Sequence, residues 1–179
     1  MKLYYIFVVY ARDMTTPEHD YAAQARQAIE IVCSGDLSRM EEFYSPDFVD
    51  HINDMTFHGY EGGRESLAFY RTLFKDYRMG VEEQFTEGNR VASRWVLHGS
   101  YHGRAVALRG ITVSHLGEDG RILEDRGHSD SIALLGQLGM IRTLILGLEI
   151  LTRRVKLPKG ILRAATRSEQ PSARSRRGP

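Results

Sequence analysis

The chain has 179 residues, of which 42% are apolar and 26% are charged, a composition typical of a soluble globular protein. This length accommodates one domain with appendages, and there is no run of 18 apolar residues of the kind that predicts a membrane-spanning helix. The net charge of +1 is unevenly distributed along the chain. Residues 153–179 contain nine Lys or Arg and one acid, which leaves a net charge of about −7 on residues 1–152.

The first thirteen residues differ in character from the rest of the chain. They contain an apolar run, Leu3 to Tyr10, after which Met14 begins the polar sequence MTTPEHD. No small-residue cleavage site of a signal peptide comes cleanly after the run. We predict that residues 1–13 are an extension ahead of the native start. An added edge strand and a targeting signal are the alternatives.

Three helices are predicted in the first half of the chain. Thr16-Pro17-Glu18 is typical of a helix start, and helical spacing then places one set of side chains on an inward face: Tyr21, Ala25, Ala28, Ile29 and Val32. Ser34-Gly35-Asp36 ends this helix. A short helix at 37–44, a strand at 47–52, a loop at 59–63 and a third helix at 64–77 come next.

The second half of the chain changes to a period of two, which is typical of strands. Turn sequences at 87–89, 99–103 and 117–120 separate the runs. Four strands result, at residues 79–86, 91–98, 105–116 and 121–130. Helices followed by strands joined through tight turns predict an α+β domain with a curved antiparallel sheet packed against three N-terminal helices. Trp95 shares a strand face with Val91 and Leu97, which predicts a core position.

The last strand carries four ionisable side chains on one face, namely Glu124, Arg126, His128 and Asp130. Buried charges must be paired, so this face requires either water or a polar cavity. If it lines a pocket, Asp130 and His128 are the candidate catalytic acid and base. Arg126 could hold an oxyanion. The alternative for Asp130 is a helix N-cap, and those for His128 and Arg126 are ordinary surface positions.

Two other strands offer candidate substrate-binding residues. His51 and Asn53 lie at the end of the strand at 47–52, where a polar cluster can line a pocket mouth or form an ordinary loop. Asp50 alternates opposite to His51. Arg94 lies mid-strand among apolar neighbours and needs a carboxylate partner, for which Glu124 and Asp130 are the candidates.

No metal or cofactor motif is present in the sequence. The seven His residues are scattered without an HxH or HExxH pattern, and no CxxC occurs. A dinucleotide fingerprint and a serine nucleophile elbow are also missing. We therefore expect neither a metal nor a cofactor. Nucleic acid is not an expected partner either, because no stacking aromatic residues accompany the basic residues near the end of the chain.

The segment from Met140 to Leu151 is almost wholly apolar, and basic residues come directly after it. A bare apolar helix face is unusual on a monomer, so packing over the domain or against a second copy is expected, and a homodimer is predicted. Peripheral membrane contact through residues 140–163 is the alternative, because apolar and basic residues together are typical of interfacial helices. Residues 167–179 read as a disordered basic tail.

The order of these elements resembles the SnoaL-like polyketide cyclases of the nuclear transport factor two-like superfamily. The matching pieces are FYSPDFVDH, HGYEGGRESLAFYRTLF, EGNRVASRWVLHGSYHG and LRGITVSHLGEDGRILEDRGHSDSIALLGQLG. The resemblance covers about residues 21–139. It implies a domain at 14–139 with a cone-shaped barrel. The apolar and basic helical extension predicted at 140–166 and the tail predicted at 167–179 lie outside the family pattern.

The resemblance also implies a chemistry. A pocket Asp near the last strand acts as acid and base in these cyclases, without a cofactor, and Asp130 is the nearest match. The epoxide-hydrolase pattern of the superfamily requires an Asp where Val96 stands. We therefore expect a cytoplasmic enzyme that cyclises or isomerises a small apolar carbonyl compound such as a polyketide. A non-catalytic ligand-binding or protein-interaction module of the same fold is the alternative.

Overall fold

The computed structural model describes residues 20–34, 37–152, 154 and 155. The predicted extension at 1–13, the predicted helix start at 16–18 and the predicted tail at 167–179 lie outside the described residues. Helix α1 (Tyr21–Ser34) is followed by a 3-10 turn (Leu37–Arg39) and the short helix α2 (Met40–Phe43). Strands β1 (Tyr44–Ile52) and β2 (Met55–His58) precede helix α3 (Gly59–Leu73).

The remaining elements are four long strands and a helix. The strands are β3 (Lys75–Glu87), β4 (Arg90–Tyr101), β5 (Arg104–Leu116) and β6 (Ile122–Ser129). Helix α4 (Ser131–Leu151) comes last, and Gly139 interrupts it with a non-helical backbone of φ 74° and ψ 166°. Positive φ at His102 and Gly103 produces the two-residue turn that joins β4 to β5. The predicted α+β class, with helices before a curved sheet, is confirmed.

The sheet is mixed. Its strand order is β2-β1-β6-β5-β4-β3, and β1 pairs with β6 in parallel while the other neighbours are antiparallel. The four strands of the second half of the chain pair antiparallel, as predicted. The strand predicted at 47–52, which the sequence analysis did not place in the sheet, joins it in parallel. Two parallel neighbours require a long connection between them. Here β2, α3 and strands β3 to β5 form that connection, so β6 can run in the same direction as β1.

The third helix also differs from its prediction. Gly59, with a φ of 57°, begins α3 where a loop was predicted. The chain already runs in β3 at 75–77, where the predicted helix continued. The short edge strand β2 was not predicted, because its four residues hold their conformation by pairing with β1 rather than by local preference.

Two apolar clusters make up the core. The first joins α1 and α2 to the sheet through residues such as Ala25, Ala28 and Phe48, which are at most 2% exposed. The second packs α4 against β4 and β5, with Leu138 at 3% and Leu97 at 0% exposure. Trp95 belongs to this second cluster at 7% exposure, as predicted. The space between the clusters is where the sheet, α1 and α3 enclose a cavity.

Candidate active site

A cavity lies between α1, α3 and the inner face of the sheet. Its volume is about 110 Å³, well above the roughly 10–15 Å³ that a single water requires by the same measure. Most of its lining is apolar, from Ala25 on α1 through Leu67 on α3 to Trp95 on β4. A largely apolar pocket with a few converging polar groups is the usual form of a small-molecule site.

Two carboxylic acids project into this cavity from neighbouring strands. Asp50 on β1 and Asp125 on β6 both line it, and they are direct partners in the parallel register of the two strands. Neighbouring strands lie about 4.8 Å apart, so the two side chains leave the sheet side by side on the same face. At this separation two carboxylates resist being ionised together.

Burial and mutual repulsion make both acids weak. Loss of solvation raises the pKa of Asp125 to about 6, although a hydrogen bond with Ser114 acts in the opposite direction. Loss of solvation, and then the charge of Asp125, raise the pKa of Asp50 well above its ordinary value. A pair so coupled titrates as a unit, and the repulsion between two charges favours the state in which the two carboxyl groups share one proton.

One oxygen of this pair has no protein partner. Asp125 Oδ1 is buried, and no described residue forms a hydrogen bond with it. Nearly all buried polar atoms in folded proteins are satisfied, so this oxygen is available to accept a hydrogen bond from water or from a molecule bound in the cavity. A carboxylate with one free oxygen is well placed to accept a proton from a bound molecule.

Tyrosine hydroxyl groups lie around the carboxyl pair. Tyr44, Tyr70 and Tyr77 all line the cavity, and the charges of the aspartates act on Tyr44 and Tyr70, whereas the Tyr77 hydroxyl forms a hydrogen bond with Cys33. Burial raises the pKa of Tyr70 to about 12, with a further contribution from the charge of Asp50. Burial also raises the pKa of Tyr44 well above its usual range, and both aspartates add to the effect. These hydroxyls therefore stay protonated at neutral pH and can donate hydrogen bonds to an oxygen of a ligand.

A bulge in β6 decides which side chains face the cavity. Ile122 lies opposite Leu116 of β5, but Glu124 lies opposite His115, so β6 contains one extra residue at Leu123. Simple alternation from the buried Ile122 would direct Glu124 and Arg126 inward. The extra residue reverses the alternation, and Asp125 and Gly127 face the cavity instead.

Glu124 and Arg126, two members of the predicted ionisable face of β6, therefore lie on the outer face. Glu124 Oε1 lies 2.6 Å from an Arg126 nitrogen and 3.2 Å from His51 Nε2. The hydrogen bond from Arg126 lowers the pKa of Glu124. The expectation that Arg126 and His51 line the pocket is wrong in position, because both side chains contact Glu124 on the solvent side.

Arg94 also lies on the outer face. Its guanidinium forms ion pairs with Glu82 and Glu83 of β3, and not with Glu124 or Asp130 as predicted. The neighbouring strand supplies the carboxylates because β3 and β4 pair directly, with Glu83 opposite Arg94.

Asn53 does not line the cavity, but it contacts Ser129 next to the cavity. Its side-chain nitrogen donates to Ser129 Oγ at 3.1 Å, and its Oδ1 accepts from the Ser129 backbone nitrogen at 3.0 Å. Ser129 in turn forms a hydrogen bond with the Tyr70 hydroxyl. Asn53 thus contributes to the site by fixing the neighbour of a cavity tyrosine.

The two predicted catalytic residues are placed differently from each other. Asp130 is exposed and caps α4, since its Oδ1 accepts from the Ala133 backbone nitrogen at 2.9 Å. It does not line the cavity, so the N-cap alternative describes its position. His128 borders the cavity, although the residue is exposed to solvent. The premise that Asp130 faces a sheltered interior is wrong, because β6 has ended before it.

The sequence analysis missed both cavity aspartates. For Asp50 a signal existed, because it alternates with the apolar residues Phe48 and Ile52 and so shares their inward face. For Asp125 the alternation of the local sequence predicted the solvent-facing side of β6. The bulge at Leu123 that turns Asp125 inward has no clear sequence signature. Among the described residues, no group of three or more His, Cys, Asp or Glu side chains is arranged to hold a metal ion.

Comparison with protein families gives one match. A family model described as a SnoaL-like domain matches residues 25–125, more than half of the chain. The matched region contains both cavity aspartates. Comparison with the sequences of curated proteins gives no match.

Solved structures show the same fold. IdmH of Streptomyces antibioticus, a proposed polyketide cyclase, is 26% identical over 68% of this chain and 100% of its own, with a TM-score of 0.61. A loop-truncation variant of IdmH is 28% identical over 66% of this chain and 99% of its own, also with a TM-score of 0.61. A proposed SnoaL-like polyketide cyclase from Shewanella putrefaciens, at 17% identity, covers 67% of this chain and 96% of its own with a TM-score of 0.60. At that identity the likeness concerns the fold alone.

Proposed function

The chain belongs to the SnoaL-like family, and from this membership we propose that it is an enzyme performing cofactor-independent acid–base chemistry on a small apolar carbonyl compound. The reaction is an aldol-type cyclisation or an isomerisation, and a polyketide is the preferred substrate class. The observation that carries the proposal is the in-register pair of Asp50 and Asp125 in an apolar cavity. The similarity to IdmH supports the substrate class.

The pair divides the acid and base roles between its members. Asp125, with its unpaired Oδ1 and a pKa of about 6, is ionised at neutral pH and acts as the base. Asp50, with its pKa raised further by that neighbouring charge, keeps the shared proton. Environments that separate the pKa values of two carboxyl groups are the usual way to assign such roles.

The proposed reaction begins when Asp125 removes a proton from the carbon next to a substrate carbonyl. The electron pair of the broken C–H bond moves onto the carbonyl oxygen, which becomes an enolate. Asp50 and a cavity tyrosine hydroxyl donate hydrogen bonds to this oxygen. In a cyclisation the enolate carbon then attacks a second carbonyl, and Asp125 returns its proton to the new alkoxide. In an isomerisation the proton returns to a different carbon.

The apolar lining is what makes such a base effective. A carboxylate in water has a pKa near 4 and accepts protons from carbon poorly. Removing water from around Asp125 brings its pKa closer to the working pH, where general bases are most efficient. The same lining matches the apolar skeleton of the substrate.

The test measures solvent deuterium entering apolar ketones and 1,3-diketones that are incubated with the full chain in D₂O, with mass spectrometry as the readout. Asp125→Asn should lower the exchange rate by about 10²- to 10⁴-fold. The rate with the wild-type protein should rise with pH through about 6, as Asp125 ionises. Asp130→Asn is the matched control and should retain the wild-type rate, because its side chain lies outside the cavity.

Loss of exchange in Asp130→Asn with full exchange in Asp125→Asn would contradict the assignment and restore Asp130 as the base. Ligand binding by calorimetry without exchange in the wild-type protein would favour the non-catalytic binding module. His128→Ala, tested alongside, shows whether that cavity-border residue takes part.

A further inference from the structure

The second half of α4 presents an apolar stripe to solvent. The stripe consists of five side chains with exposures of 60–81%, namely Met140, Ile141, Leu144, Leu148 and Leu151. At 3.6 residues per turn these positions fall within about 100° of the helix circumference. They therefore form one continuous face, which we call the α4 stripe. No other described element covers it.

The opposite side of the same helix is anchored to the domain. Leu146 is 9% exposed in the second apolar cluster. Glu149 accepts a hydrogen bond from the Tyr101 hydroxyl at 2.7 Å and lies 3.0 Å from His102 Nε2. These contacts hold the rotation of the helix, so the α4 stripe cannot turn inward without breaking them. The α4 stripe is therefore exposed because the contacts of Leu146 and Glu149 fix the opposite side of the helix against the domain.

The charges around the stripe have one sign. Glu149 is the one acidic residue between 140 and 151, and it points toward Tyr101 and His102 rather than toward the stripe. Directly after the helix, residues 153–179 contain nine Lys or Arg and a single acid. An apolar face next to a basic run is the arrangement that binds the interface of an anionic bilayer.

Helix length argues for lying on the membrane rather than crossing it. By length and composition α4 could span a bilayer, and 17% of its most apolar window is buried. Gly139, however, divides the helix into segments of 8 and 12 residues, and a spanning helix needs about 17–25. The first segment is also committed to the core through Leu134 and Leu138.

We propose that the α4 stripe docks this protein in the plane of an anionic lipid surface, with the basic residues after it contacting the lipid headgroups. The inference does not depend on the proposed enzymatic activity. A second copy of the chain is the competing occupant. An anionic surface offers an opposite charge to the basic run after the helix, whereas a second copy carries the same basic run.

The experiment is co-flotation of the full chain with phosphatidylcholine vesicles, with or without about 30% phosphatidylserine. Binding is expected to the mixed vesicles, and to weaken as NaCl rises from about 0.05 to about 0.5 M because salt screens the headgroup charge. Ile141→Asn combined with Leu144→Asn should reduce binding at least about tenfold. Phe85→Asn is the matched control, since Phe85 is 65% exposed on β3, away from α4, and should leave binding unchanged.

Light scattering on the same samples separates the two occupants. If the double variant converts a dimer to a monomer, and the wild-type protein does not float with either vesicle, the stripe is an interface between copies and the proposal fails. Equal binding of the double variant and the Phe85→Asn control to the mixed vesicles would also overturn it. Circular dichroism confirms that the variants compared are folded.

Discussion

Asp50 and Asp125 stand side by side across the β1–β6 pair, and their ionisation opposes folding. An unfolded Asp has a pKa near 3.9, while folding raises the pKa of Asp125 to about 6 and that of Asp50 in the same direction. The folded chain therefore binds more protons than the unfolded chain above about pH 4. The stability contributed by Asp125 is complete below that pH and is lost as the pH rises through about 6, and the contribution of Asp50 is lost in the same direction as the pH rises.

Replacing one member of the pair by its neutral isostere should reveal this cost. Asp125→Asn is expected to raise the free energy of unfolding at pH 8 by on the order of 2–3 kcal/mol, and to change it little at pH 4. Urea unfolding at the two pH values measures the difference. A variant that is destabilised at pH 8, or equally affected at both pH values, would show that the charge of Asp125 does not limit the stability of the fold.

At the scale of elements, the ionisable residues predicted to share one face of β6 have different structural roles in β6 and α4. The bulge at Leu123 sends Asp125 into the cavity and Glu124 to the solvent side. One residue beyond the strand, Asp130 serves the helix and not the site. A carboxylate at this position satisfies a backbone N–H that the first turn of a helix leaves unpaired.

The cap can be tested by two substitutions at the same position. Asp130→Ala removes the acceptor for the Ala133 backbone nitrogen and should lower the free energy of unfolding by about 1 kcal/mol. Asp130→Asn retains a side-chain oxygen and should stay near the wild-type value. Thermal or urea unfolding of both variants provides the measurement. Equal losses in the two would mean that the charge, rather than the hydrogen bond, matters at this helix end.

At the scale of the whole molecule, α4 is part of the domain and not an appendage. Its buried residues share the second cluster with Trp95 and Leu97, which also line the cavity. Gly139 interrupts the helix, and packing against the sheet continues beyond it through Leu146. The predicted division of the chain at residue 139 stays a prediction. The predicted homodimer and cytoplasmic location stay predictions.

A pair of leucine substitutions measures how firmly α4 is integrated. Leu138→Ala removes a side chain that is 3% exposed and should cost about 2–5 kcal/mol in the free energy of unfolding. Leu148→Ala, at 60% exposure on the α4 stripe, should change it by less than about 0.5 kcal/mol. Both variants should unfold in a single urea transition. A separate early transition in Leu138→Ala would instead identify α4 as an independent unit.

The sequence by itself determined the class of the fold, the order of most elements and the core position of Trp95. Those properties arise from local periodicity and from the conformational preferences of turn residues, which depend on residues close together in the chain. It also contained enough to place Asp50 inward, since that residue alternates with Phe48 and Ile52.

Only the tertiary structure decided which ionisable residues form the site. A single extra residue in β6 reverses the two faces of the strand, and its presence depends on pairing with β5 rather than on local preference. The parallel contact that sets Asp50 beside Asp125 joins strands some 75 residues apart in the chain. Strand register is a property of the assembled sheet, and a shift of one residue moves every side chain to the other face.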